Sequence, residues 1–183
     1  MAIAKATGNY IVFMDGDCIP RSSFIADHME IANKACFVQA RRAFVEGSVV
    51  SDYLKGKKSL RMLWLSGKIS GRIKTIRWPK PIIKSNCELH GILGCNLGIW
   101  KQDLIDVNGY DEAFEGWGAE DSDLAARLFH LGKKRRFVYG RAILFHLNHQ
   151  QLSRDNYDYN KKLLSQTIAS KTIRCDKGLV QYL

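Results

Sequence analysis

Two short acidic clusters, more than a hundred residues apart, carry most of the chemistry in this sequence. The first is Asp15-Gly16-Asp17, which directly follows the apolar run Tyr10-Ile11-Val12-Phe13-Met14. Carboxylates at i and i+2 across a glycine can turn toward one hard cation, and a cation held by few protein oxygens keeps positions open for phosphate oxygens. The second is Glu120-Asp121-Ser122-Asp123, preceded by Gly116-Trp117-Gly118. There a flexible Gly-Trp-Gly exposes a large aromatic beside carboxylates, which reads as a binding platform. Each cluster has an ordinary reading too. Asp-Gly is common turn chemistry, and acids in the first turn of a helix are stabilised by its free N–H groups. Their joint occurrence favours a metal–diphosphate site at the first cluster over a solvated turn.

The elements that must position these groups read as α/β. Tyr10–Met14 is bounded by Gly8 and Gly16 and rich in β-branched and aromatic types, so it is expected to be a strand buried on both faces. A helix is expected after Pro20, capped by Ser22 or Ser23, with Ile25, Met29, Ala32 and Cys36 facing inward. Phe37–Ala40 reads as a short strand, Gly91–Trp100 as a glycine-bearing strand-like run, and Lys101–Val107 as a short helix before an Asn108-Gly109 turn. Leu124, Leu128 and Leu131 recur at helical spacing up to Gly132, which puts the second acidic cluster at a helix N-terminus. Arg136–Phe145 reads as one last strand, delivering His146, with His149 close behind. A histidine there is a candidate nitrogen ligand for the cation of the first cluster.

The 183 residues suffice for one well-packed domain, and 46% hydrophobic with 25% charged residues is ordinary for a globular protein. No apolar run is long enough to span a membrane and no secretory signal opens the chain, so the cytoplasm is the expected compartment. Five cysteines without a disulfide framework's spacing agree with that. Cys87, His90 and Cys95 lack paired zinc-ligand geometry. Dinucleotide, P-loop and serine-hydrolase motifs are missing.

The net charge of +10 is local: ten Lys and Arg and no acid lie between Lys55 and Lys84, and the rest of the chain is balanced. With Trp64, Trp78 and several isoleucines, residues 54–84 are expected to form a basic amphipathic helical insertion. Its charges are either solvated on a packed insertion or face an anionic membrane surface or an acidic acceptor; nucleic acid is the less favoured partner.

Taken in order, the strand ending in Asp15-Gly16-Asp17, Gly94-Cys95-Asn96, the run Asn108–Phe114, GWGAEDSD and the strand ending in His146 resemble the family 2 glycosyltransferases. The likeness is greatest to those whose C-terminal half is similar to β-1,4-galactosyltransferases. The resemblance implies a GT-A fold: a mixed β-sheet flanked by helices, in a catalytic domain over 1–150 with a helical tail over 151–183. It implies inverting transfer of a hexose or N-acetylhexosamine from a nucleotide-sugar, UDP-sugar first, to a cell-envelope glycan, oligosaccharide or lipid-linked saccharide. Residue by residue, it makes Asp15, Asp17 and His146 the ligands of Mn2+ or Mg2+, with His149 as substitute, and Asp121 the general base. Gly94, Asn96, Trp117, Gly118 and Glu120 fall to donor or acceptor binding. Ala119 and Ser122 stand where related sequences often have glycine and a further acid. A non-catalytic remnant or a basic binding module of the same fold is the alternative. Only residues 1–9 precede the first strand, so the nucleotide-binding strands are expected to be missing and a partner chain or upstream segment to supply them. Enzyme action would then take place in the cytoplasm, at the inner face of the membrane.

Overall fold

Three times the chain leaves one β-sheet and enters another within a few residues, and the first acidic cluster sits on one of these crossings. The computed structural model describes residues 1–149 and 153–183. A short helix α1 (Ala2–Lys5) precedes β1 (Tyr10–Phe13), β2 (Cys18–Pro20), α2 (Phe24–Ile31), β3 (Cys36–Ala40) and β4 (Arg42–Val45). Then come α3 (Gly47–Leu54), α4 (Leu60–Leu65), β5 (Ile69–Ser70), β6 (Ile82–Asn86), β7 (Leu97–Trp100) and α5 (Lys101–Asp106). The last elements are α6 (Glu120–His130), β8 (Lys134–Tyr139), β9 (Leu144–Leu147) and α7 (Tyr157–Ser170). One sheet has the order β1-β7-β3-β8-β6 and the other β2-β9-β4-β5. Both are mixed: β3 with β8 and β4 with β9 are parallel pairs, and every other pair is antiparallel. The crossings are β1 to β2, β3 to β4 and β8 to β9.

This is the expected mixed α/β architecture, with four local differences. First, β1 is an edge strand with β7 as its one neighbour, so its residues are half-buried rather than covered on both faces. Second, α2 turns Phe24, Asp27, His28 and Ile31 inward and leaves Ile25 and Met29 exposed. The buried Asp27 explains the choice: it takes ion pairs from Arg77 at 2.9 Å and Arg141 at 3.7 Å and a hydrogen bond from the Ala142 amide at 3.1 Å. A carboxylate with that many partners is stable inside, whereas an unpaired one is not. Third, the expected strand over 136–145 is two strands, broken at Gly140–Ile143, where Gly140 and Ala142 have positive φ.

The fourth difference concerns the basic segment. It is not one amphipathic helix but α4, β5, a 3₁₀ turn at Arg72–Thr75 and β6, and it supplies an edge strand to each sheet. Its apolar residues are divided accordingly: Leu63 and Ile69 join the core of the second sheet with Val45, Ile143 and Phe145. Trp64 is turned inward and donates to Thr75 Oγ1 at 2.9 Å. Main-chain pairing across sheets has overridden the helical spacing of the sequence.

Under the first sheet, Phe37, Leu97, Ile99, Leu104, Leu124 and Leu128 form a core that fixes α5 and α6. Each such side chain stabilises the fold by roughly 1.5–3 kcal/mol through removal from water. α7 packs on α6, and the segment after it returns to Asn108, whose side chain donates to the Cys175 carbonyl at 2.9 Å and accepts from the Val180 amide at 2.7 Å. Among the described residues no helix is long and apolar enough to cross a membrane. The boundary expected between 150 and 151 lies outside the described residues.

Candidate active site

Asp15 and Asp17 occupy the crossing from β1 to β2, where the chain turns between sheets and no strand partner claims their side chains. Cys18 opens β2 and is paired in register with His146 of β9, so this sheet edge carries an imidazole to the same place. One ligand atom from each of Asp15, Asp17, Cys18 and His146 lies within 4.8 Å of the others. His146 Nε2 lies 3.3 Å from Asp17 Oδ2, and His149 Nε2 lies 2.7 Å from the same oxygen. The two imidazoles stack at 5.4 Å. Burial holds the His146 imidazole below its usual pKa despite the nearby Asp17, which keeps a nitrogen lone pair available. Asp17 Oδ1 and His146 Nδ1 are buried without a hydrogen-bond partner among the described residues. Buried polar atoms are normally satisfied, so unpaired oxygen and nitrogen atoms in a converging set fit a divalent cation.

The second cluster is built differently. Ala119 caps α6 in the left-handed region at φ 69, and Glu120 and Asp121 follow in the first turn. Asp121 Oδ2 accepts from the Gly94 amide at 2.8 Å and Oδ1 from the Tyr110 hydroxyl at 3.0 Å. At Gly94 a Cβ would overlap this carboxylate, so glycine is required for the two chains to approach. Burial and the neighbouring Glu120 push the Asp121 pKa up to about 6, against the two hydrogen bonds, and Asp15 adds to the rise. A base poised there can accept a proton near neutral pH. Burial and the Asp121 carboxylate push the Tyr110 phenol up, so it stays a donor. Cys18, next to Asp17, packs with Cys95 in one core cluster, and Gly94, next to Cys95, donates to Asp121, so the two clusters are neighbours.

Around them, Glu120 Oε2 accepts from the Gly118 amide at 2.9 Å. Trp117 is 40% exposed and stacks at 5.7 Å on Tyr157, at the start of α7, with Arg154 over its ring at 4.7 Å. Asp123 takes no part: it is buried in an ion pair with Arg127 at 2.7 Å and accepts from Thr167 at 2.6 Å. Asn96, expected to touch substrate, is fully buried. It bonds His28 at 3.0 Å and donates to the carbonyls of Arg41 and Ala142, so it ties strands together and is not available to a ligand. Three residues the motif reading left out belong to this space. Cys18 follows the acid pair directly, Tyr110 lies within the Asn108–Phe114 run, and Tyr157 comes from a helix that no local pattern links to the site.

The family described as the N-terminal domain of galactosyltransferase matches residues 82–150, which hold Gly94, Tyr110, Trp117, Asp121 and His146. No curated protein matches the chain. The crystal structure of GalNAc-T7 with UDP, GalNAc and Mn2+ is similar over 91% of this chain with a TM-score of 0.61, at 13% sequence identity. The chain spans 33% of that protein's length. The fold is therefore that of a GT-A-like glycosyltransferase.

Proposed function

We propose that this chain forms the catalytic core of a nucleotide-sugar glycosyltransferase of the family 2 type, with a β-1,4-galactosyltransferase-like second half. The observation that carries the reading is a converging metal-ligand set with, as its neighbour through the Cys18–Cys95 packing, a buried carboxylate held by the Gly94 amide and the Tyr110 hydroxyl. In this reading Asp121 takes the proton of an acceptor hydroxyl, and the freed oxygen attacks the anomeric carbon opposite the diphosphate. The bond to the diphosphate breaks and the configuration inverts. Gly94 and Tyr110 hold the Asp121 carboxylate in orientation, Glu120 and the Gly118 backbone set the acceptor's approach, and Trp117 offers its ring to a sugar face. Asp15, Asp17 and His146 would hold Mn2+ or Mg2+, with His149 beside Asp17. A divalent cation bound there supplies Lewis-acid neutralisation of charge on the departing diphosphate. UDP and GalNAc in the crystal of the similar protein support a UDP-hexose or UDP-N-acetylhexosamine donor.

Titration calorimetry with UDP, with and without Mn2+, tests this directly. UDP binding should need Mn2+, disappear in Asp17→Asn and survive in Asp121→Asn. UDP binding indifferent to both Mn2+ and Asp17 would remove the reading.

A membrane role for the basic segment has one supporting observation. Its tryptophans turn inward, yet Leu54, Met62, Leu65 and Ile73 are each more than half exposed, beside cations with no carboxylate partner among the described residues, such as Arg61 and Lys74. This favours a cytoplasmic, peripheral position on an anionic lipid surface, and with it a lipid-linked or cell-envelope saccharide as acceptor. Flotation should then occur with anionic but not neutral liposomes; equal behaviour with both would leave these residues as ordinary surface.

A further inference from the structure

Cys18 is the member of the converging set for which the transfer chemistry above has no use. Its position is fixed by strand pairing. Opposed residues of an antiparallel pair project to the same face with Cβ atoms about 4.5–5.5 Å apart, and Cys18 stands opposite His146. The thiol is 8% exposed and belongs to the set whose ligand atoms lie within 4.8 Å of one another. Behind it lies Cys95, on the 3₁₀ turn Gly94–Asn96, packed in the same core cluster as Cys18 and accepting from Arg42 Nη1 at 3.2 Å. Both cysteines are free. Asp17 Oδ1 and His146 Nδ1 have no hydrogen-bond partner among the described residues, so the Asp17 contacts with His146 and His149 leave polar atoms of the set unsatisfied.

We propose that Cys18 is a thiolate ligand, and that it makes this site take a thiophilic divalent cation of the zinc type in preference to Mn2+ or Mg2+. The inference rests on the reading of Asp15, Asp17 and His146 as a cation site. Hard cations prefer an all-oxygen shell, whereas thiolate, imidazole and carboxylate together are the donor types of zinc and cobalt sites, and zinc stands above manganese in general affinity order. On binding, the sulfur–metal bond forms as the thiol proton passes to solvent, with no change of oxidation state. The site thus has two occupancies: one through oxygen and nitrogen for a hard cation, one that adds sulfur for a thiophilic cation, and the second displaces the first.

The test uses the full chain with Cys87, the exposed cysteine, changed to Ser in every sample. Co2+ serves as the probe, followed by absorption under anaerobic conditions, and Mn2+ binding is followed in parallel by electron paramagnetic resonance. A near-ultraviolet sulfur-to-cobalt charge-transfer band that saturates with a single equivalent is expected. Cys18→Ser should abolish that band and weaken Zn2+ competition against Mn2+ by about tenfold or more, while Mn2+ binding stays within about twofold. Retained Mn2+ binding also shows that the variant is folded. Co2+ and Mn2+ binding without the band, or a band lost in Cys95→Ser and kept in Cys18→Ser, overturns the role of Cys18 and leaves the cation site standing. Binding of neither ion removes the cation site itself, and this inference with it.

Discussion

The two acidic clusters use the same functional group for opposite ends. Asp15 is exposed and Asp17 partly so, at a crossing between sheets; one Asp17 oxygen is addressed by two imidazoles and the other has no hydrogen-bond partner among the described residues. Asp121 is walled in at a helix start, and each of its oxygens already accepts a hydrogen bond. The first arrangement leaves negative charge uncompensated, which suits a cation. The second penalises charge by burial, which suits a group that must take up a proton. The difference lies in the surroundings and not in the residue type: one leaves a carboxylate open to a cation, and the other raises a carboxylate's affinity for a proton.

Several substitutions would break or sharpen this contrast. The largest effect is expected for Asp121→Asn, which removes proton acceptance with little change of size: transfer should fall about a hundredfold to ten-thousandfold in a steady-state assay, with nucleotide binding retained. Wild-type kcat/KM should rise with pH through about 6 as this carboxyl ionises. Next, Asp17→Asn should abolish the gain in melting temperature on adding Mn2+, a gain equivalent to roughly 2.7 kcal/mol at a hundredfold excess over Kd. If Asp17→Asn and Asp121→Asn lose that gain alike, the two clusters are not functionally distinct. Gly94→Ala places a methyl group against the Asp121 carboxylate, so it should lower stability by about 1–3 kcal/mol and turnover with it, measurable by denaturant titration.

Asp121→Asn has a second, smaller signature. The folded-state pKa of about 6 lies above the ordinary aspartate value of 3.8, so ionisation of Asp121 opposes folding. The penalty is missing below the unfolded value, grows between the two values and is complete above the folded one. The Asn variant should therefore be more stable than the wild type by on the order of 1 kcal/mol at about pH 7.5, with the advantage fading toward about pH 4. An advantage that persists in acid would place its cause outside ionisation. The smallest effect is expected for Ala119→Gly. Relief of a left-handed alanine, partly offset by the freedom glycine has when unfolded, should add a few tenths to about 1 kcal/mol.

What the sequence made legible was chemistry encoded at short range. Asp15-Gly16-Asp17 after an apolar run, and acids followed by leucines at helical spacing, carry their local geometry with them, so their turn and helix placements were readable. The inward face of α2 was not, because it depends on Arg77, Arg141 and Asn96, which lie far along the chain. The same holds for Trp64, whose partner Thr75 is placed by the second sheet, and for β1, whose half-burial follows from its position at a sheet edge. Asn96 shows the limit in the other direction: a motif residue with a polar side chain reads as a contact for substrate, yet it bonds a helix histidine and two carbonyls at the crossings between sheets. Tyr157 could not be found locally at all.

Tyr157 also bears on motion. The amides of Asn156 and Asn160 both donate to the Glu115 carbonyl, at 3.2 and 3.1 Å, and the Tyr157 ring lies where a side chain at Gly118 would stand. The glycine-flanked Trp117 turn is thus fastened to the first turn of α7 from both sides. A loop of two glycines around a tryptophan invites the picture of a flap that swings alone, but here it cannot lift without releasing the helix start. The Gly118 amide, held by Glu120, and the amides at the start of α7 should therefore exchange with solvent through one shared opening, at one common free energy. Admission of a sugar to the Trp117 face would then be set by the fraying of a helix some forty residues downstream.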